Sequence, residues 1–572
     1  MDKKSIAVVI VLAVVVLFYW QILDFLGIYS SPEQPVATEQ QPPPDTANQY
    51  SSNQQQLSPV QSQQQAATTD ALSQVDSTDI DTLPIDTIII RTNNYTATLS
   101  SKGGGAVSIV LNKYTYRDGE PIEMMPESFG AVPNATFAGG SFATSSLSFV
   151  ASLNPGTYDV TSGTQELTYT WDGPGGGQIV RKFIFHPDSY HFDFELQLLN
   201  PDRLGLERNY SLRWDSPLGV TEPIASVDYE AMQAVAMMSG SRESLDDFDD
   251  GNLNQSMEGN TSYAGLRSKY FAAVMIPQNR QAEGVSASGK KWSIQTRDGS
   301  VEKKDITVGL TMPFANFSGV ADSFKVFVGP LDYMLMSDYD VGLEDMLDIG
   351  TTPVVGWIIK PFALAIMWLL PIMYGFIPNY GFVIILFGLM VKIITMPLSL
   401  KSVKSMQAMK DLAPNIEELK VKHKKNPQAL NQEMMKLYKK HGVNPISGCL
   451  PMLPQMPLLF AFFSVFRATI LLRDAPFVWF ITDLSHGATG FTDPYISLVL
   501  IMVGAQFLSQ QFTMTSTQQN KMMMYMMPVM MGFFLYSLPS GLIIYWICFS
   551  LFSMIDYAIF RRGKKNAEIK TA

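Results

Sequence analysis

The sequence predicts a polytopic α-helical membrane protein that carries a large all-β domain outside the cytoplasm. Three observations lead there. The 572-residue chain is 47% hydrophobic and only 16% charged, with a net charge of −11, yet most of its acid lies in residues 31 to 350. Between about 85 and 340 the apolar residues recur with a period of two, as in "YHFDFELQL", where Tyr190, Phe192, Phe194, Leu196 and Leu198 share one face. After Gly350 the text turns to Met, Phe, Leu and Ile in runs long enough to cross a bilayer.

The first element is an anchor within residues 1–29. Lys3 and Lys4 precede the apolar run Ile6 to Leu23, which is longer than a signal-peptide core, and "FYWQILDFLGIYS" places bulky residues where a cleavage site needs small ones. An uncleaved helix with its basic end in the cytoplasm is expected. Residues 30–84 are a Gln/Pro/Ser-rich tether ("EQQPPPDTANQYSSNQQQ"), too poor in apolar groups to offset the entropy of ordering. The β domain follows over 85–340, punctuated by the turn signals "SKGGG" and "DGPGGG".

Five further spans are expected at 380–400, 448–472, 494–512, 522–538 and 542–560, which with the anchor makes six. Residues 350–376 are also apolar, but Lys360, Pro361 and Pro371 interrupt them. A seventh crossing there would throw residues 401–447, with ten lysines against four acids, and the basic tail 563–572 to the outside, against the positive-inside rule. The segment is therefore read as an interfacial or re-entrant helix.

Loop 401–447 reads as a cytoplasmic helical hairpin. Met406, Met409, Leu412, Ile416 and Leu419 recur at helical spacing, with Pro414 a kink point inside the pattern. Asn426 and Pro427 look like the N-cap and first position of the second helix, which Gly442 and Pro445 stop. Lys404, Lys410, Lys420, Lys424 and Lys439 make the hairpin basic.

The inventory for catalysis is thin. No histidine among His186, His191, His423, His441 and His486 falls inside a span, and no two have zinc-ligand context, so neither a metal centre nor an enzyme is expected. Cys449 and Cys548 offer no disulfide framework. "GVSASGK", Gly284 to Lys290, resembles a phosphate loop, but Lys291 replaces the magnesium-binding hydroxyl, and the segment is read as a Gly/Ser turn between strands. No nucleotide or other cofactor is expected.

What stands out is polar chemistry inside apolar helices. Lys392 lies on the order of 14 Å, at 1.5 Å per residue, from the cytoplasmic end of its span at Lys401. Leaving it in hydrocarbon costs about 2.5–3.5 kcal/mol, so it needs water or a partner. Gln455, Gln506, Gln510, Gln511 and Asp556 add polar groups in other spans, and together these suggest a hydrated concavity. "KMMMYMMPVMMGFF" packs seven methionines into the ten residues from Met522, a composition suited to varied apolar partners.

Four blocks, "VKIITMPLSLKSVKSMQAMKDLAPNIEELK", "NQEMMKLYKKHGVNPISGCLPMLPQMPLLFAFF", "APFVWFITDLS" and "MMPVMMGFFLYSLPSGLIIYWICFS", closely resemble the YidC/Oxa/Alb membrane protein insertases over about 380–562. The resemblance implies a five-helix insertase core with a hydrophilic groove open to cytoplasm and lipid, working without ATP hydrolysis, alone or beside the Sec translocon. It places the family's groove cation, usually arginine, on Lys392, the glutamine of its "QMP" block on Gln455, and its paired aromatics on Tyr545 and Trp546. By general pattern and position, the β domain is similar to the periplasmic β-supersandwich of the Gram-negative branch, itself mutarotase-like.

The function expected is insertion and chaperoning of integral membrane proteins in the bacterial inner membrane, with both termini cytoplasmic. The groove would be lined by Lys392, Gln455, Gln506, Gln510, Tyr545 and Trp546. An apolar slide would run over Met456, Leu459, Phe463, Met523, Met526, Met527, Met530 and Phe534. Expected partners are nascent membrane proteins, the Sec translocon, the ribosome and the lipid bilayer, not DNA. The alternative is a secondary transporter or channel with Lys392 in its pathway, which expects an internal repeat that the sequence lacks.

Overall fold

A computed structural model describes residues 85–572 except 127–129, 138–141, 205, 207–208, 297–298, 315–318, 351–355, 425, 444–451, 514–517 and 572. The expected anchor and tether lie outside the described residues, as do Cys449 and the side chains of Lys410, Met523 and Asp556.

Strands run from Thr87 to Pro330 and form two sheets. The smaller orders Pro121–Glu123, Gly105–Thr115, Tyr95–Ser100, Thr87–Arg91 and Gly156–Asp159, the last pair parallel and the others antiparallel. At the centre of the larger sheet, Ala282–Thr296, Asn252–Arg267, Phe271–Pro277, Gly319–Pro330, His191–Leu199 and Gln178–Phe185 lie side by side, antiparallel. Alternation explains the register: Phe192, Phe194, Leu196 and Leu198 are buried, while His191, Asp193, Glu195 and Gln197 face outward.

"GVSASGK" is not a turn. It lies inside the strand Ala282–Thr296, paired with Asp305 to Thr311 of the next. Its glycines serve close strand approach, since a Cβ on Gly284 would stand 2.8 Å from the Met257 carbonyl oxygen. No helix N-terminus follows it, so nothing there can cradle a phosphate.

Among the described residues the α-helices are α1 (Ala225–Ala231), α2 (Tyr333–Ser337), α3 (Gly356–Phe376), α4 (Tyr380–Asp411), α5 (Ala413–Lys422), α6 (Pro427–Lys440), α7 (Met452–Ala468), α8 (Ile496–Thr513), α9 (Gln518–Leu535) and α10 (Ser540–Thr571). Two bounds correct the sequence reading. The helix expected to end at Leu400 continues through Pro397 and Lys401 to Asp411, because the change from apolar to basic text marks a change of surroundings, not of backbone. The last helix likewise runs past residue 560 to Thr571. Pro414 does not kink a helix but opens α5, where a donor is dispensable. Asn426 caps α6 as expected, its side chain accepting from Ala429 N at 3.1 Å, and Gly442 ends it at φ 64°.

Both Gly356–Phe376 and Tyr380–Met409 are long and apolar enough to cross a membrane, so length does not separate the expected interfacial helix from a span. Shorter apolar stretches occupy Gln455–Ala468, Ile496–Gln511, Tyr525–Leu535 and Ser540–Ile555.

A buried ionic clamp fixes the segment after α7 to the sheet region. Arg473 donates through Nε to Glu222 Oε1 at 2.8 Å, and through its other nitrogens to the carbonyls of Thr115 and Thr221 and to Asp474. Burial pushes the Glu222 carboxyl above its usual range, and Lys269 and Arg473 offset only part of that rise. Lys360 of α3 pairs with Asp345 at 2.7 Å, a second tie between helix and sheet regions.

Candidate functional site

Helix α10 is the hub of the helical region: it packs on α4, α7 and α8, while α9 packs on α8 and α3 on α7. Trp546, Phe549, Ser550 and Ser553 lie at helical spacing, so they share one stripe of α10. Gln506 and Gln510, four apart, share a stripe of α8.

These stripes meet in a polar seam. Lys392 of α4 is 6% exposed, and its Nζ donates to Ser553 Oγ at 3.1 Å and lies 5.1 Å from the Phe549 ring centroid. Ser553 Oγ donates in turn to the Phe549 carbonyl at 2.8 Å, leaving its lone pairs toward the ammonium. The hydroxyl and the ring face orient the charge. One layer along α10, Gln506 Oε1 accepts from Trp546 Nε1 at 3.1 Å and from Ser550 Oγ at 2.8 Å. Gln510, a turn beyond Gln506, is also buried.

Tyr545, another expected groove residue, has different surroundings. Tyr545 is 2% exposed and stacks on Phe462 with centroids 4.1 Å apart, within a cluster that includes Phe387 and Phe466. It is a packing residue between α10 and α7, not a lining one. Gln455 is half-buried on α7.

The expected slide divides between two helices with different neighbours. Met456, Leu459 and Phe463 are half-buried on α7, whereas on α9 Met526 and Met530 are exposed and Met527 and Phe534 half-buried. Val529 and Phe533 extend the exposed apolar face of α9. Gly532 allows α9 to approach α8, since a Cβ there would stand 2.6 Å from Val503 Cγ2. In the hairpin, Lys404, Lys424 and Lys439 are exposed and Lys420 is half-buried.

Sequence reading missed Ser550 and Ser553, although their spacing from Trp546 in "WICFSLFS" was a usable signal. It also found no metal-ligand context among the histidines, whereas the structure gathers ligand atoms of His186, His191 and Asp193 within 4.8 Å of one another. The hairpin register makes that cluster, and linear spacing alone conceals it.

Residues 372–568 match the family model described as 60Kd inner membrane protein, and residues 87–365 that of the YidC periplasmic domain. A membrane protein insertase YidC of Chlorobaculum tepidum is 33% identical over 98% of this chain and 94% of its own length. The chain belongs to the YidC family of membrane protein insertases. A relative of the same description from Syntrophus aciditrophicus is 30% identical over 97% of this chain and 98% of its own. A crystal structure of an active YidC insertase with its first transmembrane domain resolved aligns with 86% of this chain and 97% of that one, at 19% identity and TM-score 0.35. The insertase therefore acts on membrane proteins at the inner-membrane bilayer and carries a periplasmic sheet-rich region and a helical C-terminal region. The transporter or channel reading finds no support in these relatives.

Proposed function

We propose that the seam around Lys392 is the electrostatic entry point of the insertase. A client's short polar tail enters from the cytoplasm, and the Lys392 ammonium attracts its acidic residues. The following apolar segment passes along the Met- and Phe-rich faces of α7 and α9 into lipid, and its burial drives the step at about 25 cal/mol per Å² of apolar surface. The observation that carries this reading is a buried ammonium oriented by Ser553 and Phe549, next to the Gln506–Trp546–Ser550 layer. Lysine in place of the family's usual arginine supports attraction by charge and not fork-like carboxylate binding.

Six spans, with α3 interfacial and both termini cytoplasmic, agree with the lysine excess of residues 401–447 and the basic tail. The partition is a 1–29 anchor, a 30–84 tether, an 85–340 periplasmic domain of mutarotase-like supersandwich form without sugar chemistry, and a 380–562 core. In this scheme the basic hairpin α5–α6 meets the ribosome, whose RNA is acidic, and the core works alone or beside the Sec translocon. No step consumes a nucleotide or forms a covalent intermediate.

Photocrosslinkers placed at 392 and 526 test the reading with ribosome-bound nascent chains. Adducts from both positions to membrane-protein clients, but not to a secreted polar control, are expected. Adducts from neither would sink it.

A further inference from the structure

The outer face of the hairpin Gln178–Phe185/His191–Leu199 carries a cluster that insertion does not use. Cross-strand pairing of Phe185 with Phe192 sets His186 opposite His191, and alternation puts Asp193 on the same face. His186 Nε2 lies 2.8 Å from Asp193 Oδ2, and His191 Nε2 lies 4.0 Å from Asp193 Oδ1. All three side chains are partly exposed, so an ion can reach them.

We propose that His186, His191 and Asp193 form a binding site for a first-row divalent metal, zinc foremost, on the periplasmic region. Two imidazoles and a carboxylate are borderline-soft donors of the kind zinc takes. Ligand bonds of about 2.0–2.2 Å at tetrahedral angles set donors roughly 3.3 Å apart, between the 2.8 and 4.0 Å contacts to Asp193, and all three ligand atoms lie within 4.8 Å of one another. Rotating the Asp193 carboxylate opens the shorter contact and closes the longer, and small turns of the imidazoles complete the set. Three protein ligands leave a fourth position for water or an exogenous group.

The surroundings of His191 support the assignment. Its Nδ1 lies 2.6 Å from Ser189 Oγ and 2.8 Å from Tyr339 OH, partners that hold the ring with Nε2 turned toward Asp193. Tyr339 also packs edge-on against both His191 and Phe327. It follows α2, on the segment leading to α3, so a bound metal would brace the hairpin against the connection between sheet and helices. Lys325, paired with Asp193 on the neighbouring strand, is the opposing feature, because its charge repels a cation.

The test uses the full chain in detergent, stripped with a chelator, with His423, His441 and His486 changed to Gln. Zn²⁺ is titrated against a chromophoric chelator, and Co²⁺ gives a visible spectrum. One ion per chain and the intense bands of tetrahedral cobalt are expected. His186→Gln, His191→Gln and Asp193→Asn should each weaken binding more than tenfold, and Tyr339→Phe by about tenfold, as for outer-shell partners generally. Lys325→Met should tighten it, which loss of mere packing would not do. Unfolding temperatures without metal establish that each variant folds. Failure to bind Zn²⁺, or parental affinity kept in His186→Gln and His191→Gln, overturns the site.

Discussion

Arg181 in the sheet region and Lys392 in the helical region are both cations buried among aromatic rings, yet they are held in different ways. The Arg181 guanidinium donates to the carbonyls of Gly103 and Pro133 and to Thr144 Oγ1, and Phe149, Phe183 and Phe194 surround it. Burial lowers its pKa to about 9, which leaves it charged at neutral pH. It ties three loops to one strand. Lys392 instead meets the Ser553 hydroxyl and the Phe549 ring of the neighbouring helix α10. Acceptors from three separate segments of the sheet region hold Arg181, whereas Lys392 bridges two helices.

The comparison can be broken by exchanging the readouts. Arg473→Met should have the largest effect on stability, because it leaves buried Glu222 with only the longer contact to Lys269 at 3.9 Å. A loss of about 3–5 kcal/mol is expected for the junction, seen as early proteolysis between sheet and helices, and Glu222→Gln in the same chain should recover much of it. Arg181→Met should cost about 3 kcal/mol by stranding its acceptors, lowering the unfolding temperature of the sheet region while insertion per folded molecule is kept. Gly532→Ile should cost about 1–3 kcal/mol by forcing α9 off Val503, measurable by thermal unfolding in detergent. Ser550→Ala should be smallest, about 1 kcal/mol for the hydrogen bond to Gln506.

Much of this architecture is legible because burial on one face writes a period. His191–Leu199 shows it plainly, as does the capped start of α6 at Asn426, where the local rule and the tertiary environment agree. Where one composition serves two ends, the text misleads. Glycine and serine in "GVSASGK" meet the needs of a turn, but here they let strands approach closely. Lys401 signals the edge of the apolar layer while α4 continues unbroken.

The site was half legible. A lysine in an apolar run is conspicuous, whereas Ser550 and Ser553 look like ordinary small residues until α10 is set against α4 and α8. Tyr545 was placed by resemblance, and the stacking on Phe462 that defines its role is a tertiary fact. The His186–His191–Asp193 cluster depends on register across a turn, which alternation within one strand does not reveal.

The central claim is that Lys392 acts through its charge, and a charge swap in reconstituted vesicles tests it most directly. Two clients differing only in an acidic or a basic tail are inserted by the parent chain and by Lys392→Arg, Lys392→Leu and Lys392→Glu. Arginine should preserve the acidic-tail preference, leucine weaken it and glutamate reverse it, with the acidic client slowed by about tenfold, equivalent to about 1.4 kcal/mol. An unchanged ratio between the two clients across all four chains would contradict the account.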